Sequence, residues 1–328
     1  MRWNDLVDAA IELPIAPSFT RLGADIRSRT DRWQPLDADL SEQVVVLTGA
    51  TSGLGRNAAE TFAGLGATVV LVGRDARRTG TTRAELVATT GNDRLETAIA
   101  DMGDLEAVAT LAAELAERHP RIDVLAHNAG ALTSDRRESP QGIEMTVASQ
   151  VMGPFLLTAR LLPQLRNARP GRVLTMSSGG MYSAPLTVDG LQMGDDYRGA
   201  EQYARAKRAQ VTLNELWAER VDRHDVVFHS LHPGWADTPG VAESLPTFRR
   251  AVGPLLRSPE QGADTLVWLA TGDEALRSSG KFWLDRRRRD AHRLPTTRRA
   301  DTPRRRQRLW DECARICGLT DPELPPAP

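Results

Sequence analysis

The chain has 328 residues, of which 41% are hydrophobic and 26% are charged. This composition excludes a fibrous protein, a disordered chain and a small disulfide-held domain, and it allows a large core in one or two domains. The formal net charge is −1, but residues 286–308 hold eleven arginines against two aspartates, so the remainder of the chain is acidic.

Residues 1–42 precede the first predicted strand, and we interpret them as an N-terminal extension that docks on the domain. Five apolar residues share one face of a short predicted helix: Trp3, Leu6, Val7, Ala10 and Ile11. This face covers the domain's own surface in the simpler interpretation and meets a membrane surface or a partner in the alternative. Asp5, Asp8 and Glu12 exclude a signal-peptide core, and no later apolar run approaches the roughly 20 residues that span a bilayer. We therefore expect a cytoplasmic protein.

Short apolar runs rich in β-branched residues alternate with longer helical patterns between residues 43 and 285. The predicted strands are Val44–Leu47, Val69–Val72, Leu95–Ala100, Val124–Ala126, Val173–Met176, Val226–Leu231 and Lys281–Leu284. The predicted helices include Asn57–Leu65, Leu105–Arg118 with Asp104 as N-cap, Glu201–Arg223 and Glu260–Thr271. The alternation predicts an α/β protein: one doubly wound Rossmann-type domain over 43–285, with a seven-stranded parallel sheet, helices on both faces and short terminal extensions.

A glycine-rich segment follows the first strand and leads directly into a helix. It reads Thr48, Gly49, Ala50, Thr51, Ser52, Gly53, Leu54 and Gly55. Gly49 permits the tight turn, Gly53 lets the backbone approach the phosphates, and Gly55 lets helix and strand pack closely. The free N–H groups at the start of the helix donate to an anion, so the segment predicts a dinucleotide-binding site.

The end of the second strand indicates which dinucleotide is bound. An NAD-selective site usually has a carboxylate at this position for the ribose hydroxyls, whereas here Arg74 follows Gly73. With help from Arg56, and from Arg77 or Arg78, this guanidinium can pair with a 2′-phosphate. We therefore expect NADP(H) rather than NAD(H), although ordinary solvated arginines remain the alternative interpretation.

Tyr203 and Lys207 stand one helical turn apart on the same predicted helix face. A cation at this distance lowers the pKa of a phenol. Because the chain has only three tyrosines and two lysines, such a pair seldom arises by chance. It predicts an acid/base pair.

These motifs resemble the short-chain dehydrogenase/reductase superfamily over about residues 43–285. The further motifs that carry the resemblance are Asn128-Ala129-Gly130 after the fourth strand and Ser177-Ser178 after the fifth. The segments Ser177–Met181 and His232–Val241 are similar to one branch of the superfamily whose substrate is not well defined. The resemblance implies that Tyr203 exchanges a proton with the substrate, that Lys207 lowers its pKa and holds the nicotinamide ribose, and that Ser178 binds the substrate oxygen. Ser177 is then structural.

The resemblance also implies further cofactor contacts at strand ends. Asn128, Ala129 and Gly130 would line the adenosine side, and Asp101 with Met102 would meet the adenine. Pro233, Gly234 and Thr238 would lie at the nicotinamide, with Thr238 on its carboxamide. Ordinary loop residues at strand ends are the open alternative for all of these positions.

One position departs from the family pattern. Where the family commonly has asparagine, this chain has Gln150, three residues before Gly153. The family's usual proton relay is therefore in doubt, because glutamine is one methylene longer and displaces any water that it binds. A misplacement near 1 Å can cost on the order of a hundredfold in rate.

No metal site is expected, because neither His127 nor His232 lies in a metal-ligand spacing. An apolar small-molecule substrate is expected from side chains in the segments that line clefts in such folds, although core or lid packing explains them as well. They are Met181, Tyr182, Leu186, Leu191, Trp235 and Phe248.

Residues 286–328 form an arginine-rich tail with a predicted C-terminal helix. Its cations could meet nucleic acid or an anionic membrane, but no aromatic platform accompanies them, so a solvated tail or pairing with the acidic remainder is favoured. Nucleic acid is not expected as a partner, and membrane contact is not favoured. Cys313 and Cys317 form neither a disulfide framework nor a zinc spacing, which favours a reducing compartment.

The pattern as a whole favours an NADP(H)-dependent oxidoreductase acting on carbonyl or alcohol groups. A catalytically weak or inactive NADP(H)-binding sensor or scaffold is the first alternative, and an interaction protein built on the basic tail is the second. Since family members often pair through the helices that hold Gln150 and Tyr203, the resemblance also implies a homo-oligomer.

Overall fold

The computed structural model describes residues 3–13, 16–244, 246–320 and 323–327. An eight-stranded sheet forms its middle layer, in the order β3-β2-β1-β4-β5-β6-β7-β8. The strands are β1 Val44–Thr48, β2 Thr68–Gly73, β3 Leu95–Ile99, β4 Val124–His127, β5 Gly171–Met176, β6 Val226–Leu231, β7 Lys281–Leu284 and β8 Arg287–Arg289. The first seven are parallel to one another, which confirms the predicted doubly wound α/β fold.

The eighth strand corrects the predicted strand count. β8 pairs antiparallel with β7, joined by a tight turn in which Asp285 and Arg286 have φ of 54° and 56°. It lies in the segment interpreted as a tail. Three consecutive arginines lack the apolar alternation of a strand, and here they serve as an edge strand because acidic residues of the N-terminal helices pair with them.

Helices cover both faces of the sheet. The bounds are α1 Trp3–Glu12, α2 Ala16–Phe19, α3 Arg21–Thr30, α4 Gly53–Gly64, α5 Ala76–Thr90, α6 Leu105–Arg118, α7 Met145–Val147, α8 Gly153–Arg166, α9 Gly199–Arg220, α10 Pro239–Ser244, α11 Pro246–Val252, α12 Pro259–Thr271, α13 Asp273–Leu276, α14 Pro295–Ala300 and α15 Pro303–Ile316. A π-helical turn, Ala148–Met152, joins α7 to α8. The helix predicted at 105–118 begins after Asp104, whose carboxylate accepts the Glu106 backbone N–H at 3.1 Å.

Successive strand residues face opposite layers, as the two-residue repeat of a strand requires. In β1, Val46 packs with α6, α8 and α9, while Val45 and Leu47 pack with α4 and α12. The helix Met145–Arg166 is long and apolar enough to cross a membrane, contrary to expectation, but 83% of its apolar window is buried inside the protein. The segment Met145–Arg166 is therefore a core helix of the domain.

Helix α1 docks through charge rather than through the predicted apolar face. Trp3 and Leu6 on that face are 76% and 48% exposed, whereas Asp8 is buried. Two guanidiniums, those of Arg289 and Arg27, bond the Asp8 carboxylate at 2.6–2.8 Å. The acidic face turns inward because the arginines of β8 and α3 supply its counter-charge.

The C-terminal helix α15 packs on α8 and α9. The Trp310 ring lies 5.0 Å from Phe155 and 4.8 Å from Trp217 between centroids. Arg306 pairs with Glu215 of α9 at 2.6 Å. Much of the surface presented by these helices is therefore covered by the chain itself.

Candidate functional site

The glycine segment forms a tight loop between β1 and α4. Gly49 and Gly53 have φ of +68° and +51°, a region that L side chains rarely adopt. At Gly55 an added Cβ would lie 2.2 Å from the Gly49 carbonyl oxygen. The loop thus excludes side chains and begins a 12-residue helix, so these residues fit a dinucleotide pyrophosphate.

Asn128 braces this loop from the end of β4. Its side-chain amide donates to the carbonyls of Thr48 at 3.1 Å and Gly49 at 3.2 Å. The Thr48 hydroxyl in turn accepts the backbone N–H groups of Asn128 and Ala129 at 3.0 and 3.1 Å. Asn128 therefore has a structural role in the loop, and Ala129 and the exposed Gly130 lie beside it.

The end of β2 presents cations to the same edge of the sheet. Arg74 is exposed, and no ion pair involves it within the described ranges. Arg56 is already paired with Glu85 at 3.1 Å, and the carboxylate of Asp75 caps α5 by accepting the Arg78 backbone N–H at 2.8 Å. Of the arginines that could pair with a 2′-phosphate, Arg74 lies nearest the end of β2. Its guanidinium has no ion-pair partner among the described residues and is therefore available to a phosphate.

Asp101 and Met102 lie at the end of β3. The Asp101 side chain is exposed and accepts the Gly103 backbone N–H at 2.9 Å, while Met102 is buried. At the end of β6, Gly234 has φ of +73° and the loop returns toward the glycine segment. A Cβ added to Gly53 would lie 3.2 Å from the Thr238 side chain. The loop holding Pro233, Gly234 and Thr238 therefore reaches the predicted cofactor loop.

Tyr203 and Lys207 share the inner face of α9, with Lys207 Nζ 5.3 Å from the centre of the Tyr203 ring. Lys207 is buried, and its ammonium donates to the backbone carbonyl of Met176, the last residue of β5, at 2.9 Å. This bond holds the Lys207 ammonium at the carboxyl edge of the sheet.

The two serines after β5 have different environments. Ser177 is buried, and its hydroxyl donates to the Lys207 carbonyl at 3.2 Å. Ser178 is partly exposed at the start of the 3₁₀ turn Gly179–Tyr182 and accepts the Gly180 backbone N–H at 3.3 Å. Ser178 lies within hydrogen-bonding reach of the Tyr203 hydroxyl, and Ser177 has a packing role.

Burial has the largest effect on the pKa values of Tyr203 and Lys207. Desolvation raises the pKa of Tyr203 to about 12, against which a hydrogen bond from Ser178 lowers it. Burial also lowers the pKa of Lys207 to about 7. Burial and Ser178 are the causes of the Tyr203 shift, while Lys207, itself desolvated, directs its ammonium to the Met176 carbonyl.

Gln150 is fully buried in the π-helical turn, an irregularity that often marks functional sites. Its side-chain amide donates to the Ala131 carbonyl at 2.8 Å, while its own backbone carbonyl accepts from the Gln210 side chain at 2.6 Å. A Cβ added to Gly130 would lie 3.0 Å from Gln150 Oε1 and 3.4 Å from Lys207 Nζ. Gln150 therefore lies next to the predicted catalytic pair. No motif had identified Gln210, which holds it.

The apolar residues predicted for the substrate divide into two groups. Four of them are at most 4% exposed and belong to the core: Met181, Tyr182, Leu186 and Leu191. Trp235 and Phe248 are partly exposed and pack edge to face at 5.1 Å. Only this second pair is accessible to solvent to a substantial degree.

The histidines considered for metal binding are held neutral. Burial lowers the pKa of both His127 and His232 to about 3. Elsewhere Glu215, His292 and Asp301 bring ligand atoms within 4.8 Å of one another, but Arg306 bonds both carboxylates, at 2.6 and 3.1 Å. An arginine supplies the counter-charge there, so we assign no metal to the cluster.

Known proteins are similar to this chain in sequence and in fold. The short chain dehydrogenase family matches residues 43–247. Dehydrogenase/reductase SDR family member 12 from Homo sapiens is 36% identical over 294 residues, which cover 89% of this chain and 91% of that protein. Polyprenol dehydrogenase from Mus musculus is 32% identical over 319 residues, covering 94% and 92%. A crystal structure from Escherichia coli CFT073, complexed with NADPH, has a TM-score of 0.63 and 25% identity over 77% of this chain and 100% of that one.

Proposed function

The chain belongs to the short chain dehydrogenase family and is an oxidoreductase, and from that premise we propose that it uses NADP(H) to interconvert a carbonyl and an alcohol on an apolar small molecule. The resemblance inferred from its motifs is thereby confirmed, and the branch to which its Ser177–Met181 and His232–Val241 segments are similar is that of family member 12. The observation that carries the proposal is the convergence of Ser178, Tyr203 and Lys207 beside the glycine loop.

The side chains divide the chemistry between them. The bound nicotinamide supplies or accepts the hydride. In the reducing direction the Ser178 hydroxyl donates a hydrogen bond to the carbonyl oxygen, and the Tyr203 hydroxyl gives that oxygen its proton as negative charge develops on it. A pKa of about 12 keeps Tyr203 protonated, and so ready to donate, at neutral pH. Lys207 would hold the nicotinamide ribose, and its charge would favour the tyrosinate that remains.

The apolar substrate is supported by the partly exposed Trp235 and Phe248 and by the name of the mouse relative, polyprenol dehydrogenase.

We propose a cytoplasmic protein, in accord with its two free cysteines. The predicted homo-oligomer would pair through α8 and α9, but α15 packs on these helices. We therefore propose that any pairing between copies of the chain uses a different face. Light scattering on the intact chain and on a variant with charge reversals on exposed α9 residues tests this.

The test of the function is oxidation of NADPH by the purified protein with a panel of aldehydes and ketones of increasing apolar surface. We expect absorbance at the reduced-nicotinamide band to fall with at least one apolar carbonyl and to fall more slowly with NADH. Tight NADPH binding without turnover on any carbonyl would instead favour the sensor or scaffold, for which the Gln150 departure is the sequence feature.

Arg74→Ala is expected to weaken NADPH binding by roughly 10- to 100-fold, the loss of one charge-assisted contact of about 1.5–3 kcal/mol. NADH, which lacks the 2′-phosphate, should bind within about threefold of wild type. Tryptophan fluorescence quenching measures both dissociation constants. Arg118→Ala is the control, because it removes another exposed arginine, the last residue of α6, which pairs with Glu96. An unchanged preference between NADPH and NADH in the Arg74 variant would contradict this assignment.

A further inference from the structure

The segment Ser18-Phe19-Thr20 of the N-terminal extension is buried inside the protein, with exposed fractions of 0%, 4% and 5%. The family match begins only at residue 43, so this segment is an addition to the family's domain. It lies between the loop after β5, which carries Ser178, and the loop after β6, which carries Trp235. An added segment therefore packs against Gly179, the residue after Ser178, and against Trp235.

The Phe19 ring contacts both loops. A Cβ added to Gly179, the residue directly after Ser178, would lie 2.6 Å from Phe19 Cε2. On the other side the ring lies 4.3 Å from the His232 ring and 5.9 Å from the Trp235 ring, edge to face in both cases. The ring packs this closely against residue 179 only because that residue is glycine.

Backbone bonds hold the ring in this position. The Phe19 carbonyl accepts the Trp235 backbone N–H at 2.8 Å and Arg257 Nε at 3.0 Å. The preceding carbonyl, of Ser18, accepts from Arg257 at 2.8 Å and from Arg27 at 3.0 Å. Both guanidiniums bond Asp285, and all three of these charged side chains are 1% exposed. The ring is thus anchored to a rigid buried cluster rather than to a mobile terminus.

We propose that Phe19 is a specificity-determining residue: its ring closes the cleft on the Gly179 side and limits the size of the carbonyl substituent that lies there. The inference rests on the proposed function and specifies which carbonyl substituents the same site accepts. A narrow apolar group fits beside the ring, and a bulky one is excluded from it. Size discrimination in apolar sites commonly amounts to 10- to 200-fold per methylene-sized difference.

The probes are acetophenone and benzophenone, which differ in one substituent on the carbonyl, methyl against phenyl. Two measurements are made on the NADPH-supplied protein: the ratio of kcat/KM for the two ketones, and the ratio of their dissociation constants in the NADP⁺ complex by calorimetry. Phe19→Ala and Phe19→Leu are compared with wild type. Leu22→Ala, three residues along the same extension and 56% exposed, is the matched control.

Phe19→Ala should shift both ratios toward benzophenone by at least tenfold, Phe19→Leu by less, and Leu22→Ala not at all. NADPH binding should stay within about threefold of wild type in all three, since Phe19 contacts no residue of the glycine loop. If Phe19→Ala fails to fold, Phe19→Leu decides the question by the same ratios. Ratios equal to wild type in a folded Phe19 variant, or no binding of either ketone to any variant, would overturn the inference. Ketone binding with shifted ratios but no turnover would support it and count against the proposed reaction instead.

Discussion

Tyr203→Phe is expected to lower kcat/KM by roughly 10²- to 10⁴-fold, the range that a positioned acid or base contributes. The substitution removes only the hydroxyl that exchanges a proton with the substrate oxygen, while the ring keeps its place against Lys207. NADPH binding should therefore remain within about threefold of wild type. Steady-state kinetics on the best carbonyl of the panel, with fluorescence titration of NADPH, measures both quantities.

A second tyrosine provides the control. Tyr197→Phe also removes one phenol hydroxyl, which lies 2.9 Å from the Thr133 hydroxyl and donates to Glu144 at 3.2 Å. We expect a small loss of stability, about 0.5–1.5 kcal/mol, and turnover within severalfold of wild type. Substantial turnover by the Tyr203 variant would show that another group supplies the proton and would refute the assigned role.

Asp285→Asn is expected to destabilise the fold by about 3–5 kcal/mol, the usual cost of breaking a buried ion pair by removing one partner. The Asp285 carboxylate bonds Arg257 at 2.6 and 2.8 Å and Arg27 at 2.6 Å, and all three side chains are buried away from the protein surface. Arg27 keeps its ion pair with Asp8 in the variant, whereas Asp285 is the one ion-pair partner of Arg257 among the described residues. Urea unfolding followed by tryptophan fluorescence measures the change.

Asp237→Asn is the matched control, because it removes the same charge from a surface pair. Asp237 bonds Arg249 at 2.7 and 3.0 Å, but the two side chains are 42% and 48% exposed. Solvent screening limits such a pair to about 0–1 kcal/mol. Equal losses of unfolding free energy in the two variants would mean that the buried cluster does not stabilise the docked extension.

The acid dependence of stability follows from the same cluster. Burial raises the pKa of Asp8, but the hydrogen bonds and charges of Arg289 and Arg27 outweigh it and bring the pKa down to about 2. A carboxyl group with a lowered folded-state pKa stabilises the fold above its ordinary value of 3.8 and loses this contribution as the pH falls toward 2. The extension is therefore expected to stay docked at neutral pH.

The parallel sheet and the cofactor loop were predictable because they depend on short-range patterns. Apolar runs such as Val44–Thr48 follow from the burial of both sheet faces, and the spacing of Gly49, Gly53 and Gly55 follows from the backbone that a phosphate site needs. β8 escaped prediction since Arg287–Arg289 carry no apolar alternation. Their role as an edge strand depends on carboxylates more than 250 positions away.

The sequence by itself determined the fold class, the phosphate loop and the spacing of Tyr203 and Lys207, because each depends on residues within a few turns of one another. The tertiary structure alone decided which face of α1 docks, the pKa of about 7 for Lys207, and the place of Phe19 beside Gly179. Phe19 and the Arg257 that anchors it are separated by 238 positions. Burial and charge pairing between such distant segments exist only after the chain has folded, so no local periodicity records them.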